Sequence, residues 1–288
     1  MGVTASALFS AAAAFGLWAG HPAERPAERG LQEAESEPPV SEPSVSEDVG
    51  DTGDAGRSGD KGGMWIDAER GCVALQGSVL VRDDLLEYLL IAPHGAAHES
   101  LFSTEVSATL WNAALLGLGV VEGQNASWEE TGDEDDPYRI HVPRGEGAEL
   151  LPYVAWKEDG ETYFFRTEDL IVDLATGRSM RRHPWIFLGS RIAPPKRGEE
   201  PRFLAELTGN LVNLAFFFEG NTIVTAAHPA CVSQTIWVGN AALLPPRGTP
   251  VLLIFARERL AALPAAWDAL LIDSAAGGQA ETETPGAR

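Results

Sequence analysis

Basic side chains are scarce in this chain: 21 Lys and Arg stand against 42 Asp and Glu in 288 residues, a formal charge of −21. A nucleic-acid partner needs clustered cations to neutralise phosphates, so that class is excluded, and an anionic membrane surface repels such a chain. Cysteine is scarcer still. Cys72 and Cys231 are the only two, too few for a Cys₄ zinc or iron–sulfur site. No Gly-rich phosphate loop occurs, and no alternation of strand-like and helix-like segments points to a doubly wound nucleotide fold. The longest uncharged, mostly apolar run is 15 residues, Ala5 to Ala19, short of the ~20 that a spanning helix needs. What is present is a hydrophobic content of 44%, enough for a core and incompatible with disorder throughout.

The Ala5–Ala19 run matches the apolar centre of a secretory signal peptide, although no Lys or Arg precedes it and Leu17-Trp18-Ala19 is a weak cleavage site. Residues 1–20 are therefore expected to be a signal peptide or an uncleaved N-terminal anchor, and the protein to be periplasmic or otherwise extracytoplasmic. With no Cys near Gly20, a lipid anchor is not expected. Residues 21–63 are rich in Glu, Pro, Ser, Asp and Gly, with a Ser-Glu-Pro-like repeat over Ser36–Glu47. Such a segment buries too little apolar area to offset its ordering entropy and reads as a disordered acidic tether. Residues 64–260 carry the globular pattern, and 261–288 read as a partly disordered tail in which Leu263–Ile272 could form a short amphipathic helix.

Within the globular part, Val73, Leu75, Val79 and Val81 share parity, the mark of a strand with one buried face. Leu85–Ile91 reads as a second strand. The clearest helix follows: Val106, Leu110, Ala113, Ala114 and Gly117 fall at helical spacing, with Trp111, Leu115 and Leu118 beside them. Ser103 or Thr104 is the expected N-cap and Gly119 the expected C′ residue. Its sides carry almost no charge, which predicts burial over most of its surface. Glu149–Lys157 and Glu161–Arg166 flank Glu158-Asp159-Gly160 as a hairpin. Leu211–Phe218 and Thr222–Thr225 flank Glu219-Gly220-Asn221 as a second one, and Val251–Phe255 reads as a buried strand. One helix and eight to ten short strands predict an α+β fold, a mainly antiparallel sheet of short strands with one long buried helix, preceded by the disordered linker.

Several stretches, in order, resemble the YdjY-type domain of exported bacterial proteins: Val79–Arg82 with Leu86–Leu90, His98–Leu101, Asn112–Gly119, Pro184–Phe187 with Gly189-Ser190, and Gly209–Leu211. The resemblance spans Met64 to Phe255. It implies an exported single domain and supplies no catalytic roles. A ferredoxin-like label sometimes attached to that family does not suit a chain with two separate cysteines.

Four groups of residues carry chemical potential. His94, His98 and Glu99 form a zinc-type donor set, for Zn²⁺ or another divalent metal, but their order is His-x-x-x-His-Glu, and Pro93 and Gly95 oppose a helix that would align the two imidazoles. Ser100 beside them could be assembled into a nucleophile, although no Gly-x-Ser-x-Gly elbow exists. The bland reading is a turn whose side chains hold the following backbone. Arg178, Arg181, Arg182 and His183 make a basic cluster, with Lys196 and Arg197 further on, suited to an anionic ligand or partner or to neighbouring acids on the surface. Cys72 and Cys231 could form a disulfide after export or be two small buried side chains. The acidic loop Glu129–Asp136 lacks a calcium-loop pattern. Asn125-Ala126-Ser127 is a sequon of consequence only in a eukaryotic secretory route. The expectation is an exported, tethered, non-catalytic binding or structural module without a cofactor. Its partner is an unknown protein or small molecule, and membrane contact comes only through an uncleaved N-terminus. The alternative is a metal-dependent enzyme built on His94, His98 and Glu99.

Overall fold

The structure is a computed structural model that describes residues 63–193, 200–217 and 221–274. The expected export segment, nearly all of the acidic linker, Lys196, Arg197 and the end of the tail lie outside the described residues. In chain order the elements are β1 (Met64–Asp67), β2 (Cys72–Val79), β3 (Tyr88–Ile91), β4 (Ser100–Ser103), α1 (Ala108–Gly117), β5 (Ser127–Glu130), β6 (Tyr138–His141), β7 (Glu149–Glu158), β8 (Glu161–Arg166), β9 (Ile171–Asp173), β10 (Arg178–Ser179), β11 (Trp185–Phe187), β12 (Ile192–Ala193), β13 (Arg202–Phe203), α2 (Leu204–Thr208), β14 (Asn210–Asn213), β15 (Val224–Thr225), β16 (Trp237–Gly239), β17 (Pro250–Ala256) and α3 (Ala265–Asp268).

The expectation of an α+β fold with an antiparallel sheet is overturned. Among the described residues the protein is mainly β, an eight-strand mixed barrel, 15% helical, with one helix of seven residues or more. The ring runs β2-β17-β7-β11-β15-β14-β3-β4 and closes where β4 returns to β2 through Ser78↔Ser103 and Val79↔Phe102. Closure leaves no open edge within the ring, while β1 pairs with β2 and β8 with β7 outside it. It rests on two residue pairs between strands that hydrophobic parity treats as independent, which is why periodicity does not reveal it. At the seam Gly77 is required by space: a Cβ there would stand 2.5 Å from the Ser103 carbonyl oxygen.

Two pairings are parallel, β3–β4 and β14–β15. The second corrects the hairpin expected around Glu219-Gly220-Asn221: Val212 faces Val224 and Asn213 faces Thr225 with both strands running the same way. Residues 214–223 connect them, ten where a hairpin loop has roughly two to five. The first hairpin is as expected. Glu158 pairs with Glu161, and the two-residue loop Asp159-Gly160 has φ of +51° and +78°, the geometry of a tight hairpin turn.

An eight-stranded barrel has an interior just wide enough to be filled by side chains. Val73, Leu75, Val154, Trp156, Trp185, Phe187, Leu253 and Phe255 belong to that interior cluster. The alternate residues Cys72, Ala74, Tyr153, Ala155, Leu252, Ile254 and Ala256 form a second cluster on the outer face. That face is covered by Trp65, Phe164 and the C-terminal residues Leu260, Leu263, Trp267, Leu270 and Leu271. Burial on both faces explains the unbroken apolar run Val251–Phe255 in β17. The C-terminal segment is pinned by Leu260 N–H donating to the Tyr153 hydroxyl (3.0 Å), Gly160 N–H to Asp273 (2.8 Å) and the Thr162 hydroxyl to Asp268 (2.6 Å).

The helix α1 differs from expectation in extent and in burial. It starts at Ala108, capped by Ser107, whose hydroxyl oxygen accepts from Leu110 N–H at 3.1 Å. Thr104 instead donates to the Gln76 carbonyl, tying β4 to β2. Trp111, Leu115 and Leu118 join the interior cluster, Trp111 meeting Phe255 at 4.7 Å between ring centroids. Leu110 and Leu116 are 45% and 47% exposed, so the lack of charge did not signal burial on all sides. Gly119, with φ +76°, ends the helix as the C′ residue.

Candidate functional site

The His94–Ser100 segment joins β3 to β4. His94 stands in a tight turn and its Nε2 lies 3.0 Å from the Glu206 carbonyl oxygen. The Glu206 carboxylate accepts from the N–H and hydroxyl of Thr109 at 3.1 and 3.3 Å, so the pair ties α2 to the first turn of α1. His98 sits in the single 3₁₀ turn Ala97–Glu99, its side chain 82% exposed, 3.6 Å from the Glu99 carboxylate. Ser100 is fully buried and donates to the Ala96 carbonyl at 2.5 Å. Ala96 N–H in turn donates to the Asn210 side chain at 3.2 Å. The zinc-type donor set is therefore not assembled: no three His, Cys, Asp or Glu side chains converge among the described residues. The Ser100 hydroxyl is thus engaged with a backbone carbonyl and not with an imidazole, the partner that activates a serine nucleophile. One electrostatic effect does arise. The Glu87 carboxyl is raised by burial first and by the Glu99 carboxylate second, with His98 opposing.

Cys72 and Cys231 are separate free thiols, in the outer and interior clusters respectively. No disulfide joins them. Burial pushes the Cys72 thiol up to about 11 and raises Cys231 as well, which leaves both protonated and poor ligands at neutral pH.

The basic cluster is divided by the fold. Arg178 and Arg181 stay exposed. Arg182 is held by Asp169 through two bonds, Nε to Oδ1 at 3.0 Å and Nη2 to Oδ2 at 2.5 Å. His183 turns inward, stacks on Trp185 at 5.4 Å and meets His228 at 5.6 Å. Its Nδ1 lies 2.9 Å from the Arg181 carbonyl oxygen. Burial first, then His228 and the Arg166 guanidinium, depress its pKa to about 4, against the opposing pull of that carbonyl. With its pKa held near 4, His183 is an uncharged, half-buried ring at neutral pH.

Around it lie residues that sequence reasoning missed. Glu168 is 0% exposed. It accepts from Arg166 Nε and Nη2 at 3.1 and 2.5 Å, from Trp185 Nε1 at 3.2 Å and from His183 N–H at 3.3 Å. A buried charge needs such a partner set. Arg166 also donates to the His183 carbonyl at 3.0 Å and lies 5.3 Å from the centroid of the Tyr153 ring. The only local signal was Arg166-Thr167-Glu168, which looks like any solvated turn.

Above this network is a depression of about 200 Å³ lined by Tyr153, Phe164, Phe165, Arg166, Asp169, Arg182, Arg259, Leu260 and Ala261. Its three arginines come from the end of β8, from the loop before β11 and from the segment after β17. Arg259 is exposed and makes no ion pair among the described residues.

These features define a small closed mixed β-barrel whose histidines and buried carboxylate hold its own turns in place, with an arginine-lined depression on one side. Residues 64–256 match the YdjY domain, and the chain belongs to that family. No curated protein and no solved structure matches it.

Proposed function

We propose that this chain is an exported, tethered binding module that performs no chemistry of its own. Export and tethering are supported by the uncharged Ala5–Ala19 run and by the Glu-, Pro- and Ser-rich segment that follows it, which together resemble a secretion signal and a solvated spacer. The observation that carries the binding reading is the arginine-lined depression on an otherwise strongly acidic chain. Glu168 neutralises Arg166 and Asp169 neutralises Arg182, which leaves Arg259 as one positive charge on that background, and it favours an anionic group. His94, His98 and Ser100, the residues with most chemical potential, are meanwhile engaged with backbone or exposed. Fractionation with N-terminal sequencing of the native protein tests the first half: an extracytoplasmic protein is expected, and a cytoplasmic one with its N-terminus intact overturns export. Elemental analysis of the purified protein tests the second: stoichiometric divalent metal would overturn the non-catalytic reading.

A further inference from the structure

We infer that the depression formed by Arg166, Arg182 and Arg259 is a site for a monocarboxylate with an apolar or aromatic body. The inference rests on the binding reading above and names its ligand class. Charge sets the first term. Three guanidinium groups face one rim carboxylate, Asp169, and the buried Glu168 neutralises Arg166 from below. The site therefore has one uncompensated positive charge, which matches one carboxylate and not a dianionic phosphate. Arg259 supplies it: exposed, unpaired among the described residues, and able to engage a carboxylate through two parallel N–H donors. The arginines already held by acids are in fixed orientation, so little side-chain entropy remains to be lost when a ligand binds.

Size and lining set the second term. About 200 Å³ is below the roughly 300–1,000 Å³ of pockets that enclose a drug-sized ligand, so the site takes a head group and a small body. The body meets Tyr153 and Phe164, whose rings are stacked at 5.0 Å, and the side chain of Leu260. Aromatic and aliphatic surface beside a guanidinium is the environment of an aryl or alkyl acid. The Tyr153 hydroxyl accepts from Leu260 N–H, which leaves its own proton to donate to the ligand.

The experiment is a titration of full-length protein with benzoate, benzamide and inorganic phosphate at low ionic strength, following the Nε–Hε signals of the arginines by NMR. Saturable binding of benzoate, with the signals of Arg166, Arg182 and Arg259 shifting together, is expected; benzamide should not bind. Arg259→Gln should weaken benzoate by roughly ten-fold or more, as loss of a charge-assisted pair does, while Arg178→Gln leaves affinity within about two-fold because its exposed side chain lies outside the depression. N-acetyl-Gly-Phe in acid and amide forms identifies the source: tighter binding of the peptide acid than of benzoate assigns the site to a chain end, and weaker binding assigns it to a free small acid. No saturable benzoate binding overturns the inference. So does tighter binding of phosphate, or equal loss in Arg178→Gln and Arg259→Gln, which would mean diffuse attraction. A protein found to stay in the cytoplasm would still give the benzoate result, so the export reading and this one fail separately.

Discussion

Lowering the pH should destabilise this barrel through one ring, His183. Its pKa is depressed from the ordinary 6.5 to about 4 because the ring is packed between Trp185 and His228 and faces the Arg166 guanidinium. A base with a depressed native pKa binds its proton more tightly in the unfolded chain. The stability it contributes is fully present above 6.5 and is lost as pH falls toward 4. At 1.36 kcal/mol per unit of difference, the loss between pH 7 and pH 4 is about 3 kcal/mol. His228, depressed mainly by burial, and Asp67, whose carboxyl is lowered by its bonds to Arg70 against burial, act in the same direction, whereas Glu87, raised by burial, opposes them. Comparison with His183→Phe separates the ring from this background. Phe keeps a ring against Trp185 and removes the titration, at a fixed loss of about 1 kcal/mol for the bond to the Arg181 carbonyl. Urea unfolding of both proteins at pH 7 and pH 4 is the assay. The wild type should lose about 3 kcal/mol more than the variant over that interval. Equal losses in the two proteins would refute the assignment.

Four further outcomes follow from the same geometry. Glu168→Gln leaves the Arg166 guanidinium buried beside a neutral group and should cost about 3–5 kcal/mol by chemical denaturation, part of it recovered in the Arg166→Met, Glu168→Gln double variant. Gly77→Ala drives a Cβ onto the Ser103 carbonyl at the closing seam and should cost about 1–3 kcal/mol, and Trp267→Ala, which uncovers the outer face of β17, about 3 kcal/mol or more; thermal melts of the two would measure both. His98→Ala should change stability by no more than about 0.5 kcal/mol, with or without chelator, since the side chain is largely in water; a chelator-dependent shift in the wild type alone would restore the metal reading.

The legible features were those whose cause lies within a few residues. Shared parity of Val73, Leu75 and Val79 placed a strand, although both of its faces and not one are buried over Cys72–Leu75, and Asp159-Gly160 placed a hairpin because a two-residue turn there needs positive φ. Gly119 placed the end of α1. The start of α1 was misplaced by four residues or so because Ser103, Thr104 and Ser107 are all competent caps, and packing of Trp111 against Phe255 chose among them. The candidate site was less legible. Arg182 was singled out, but its companions Arg166 and Arg259 lie 16 residues before it and 77 after it, and no short motif links them.

The amino-acid sequence by itself determined the strand-rich character, the hairpin β7–β8 and the family, because propensity, parity and short motifs are properties of neighbours. Only the tertiary structure decided that the sheet closes into a barrel, that β14 and β15 run parallel, that His183 is a half-buried, uncharged ring and that three distant arginines share one depression. Each of those depends on which strand edges meet. Pairing energy is nearly the same for many partners, and the choice is made by the one arrangement that fills the barrel interior and covers its outer face at once.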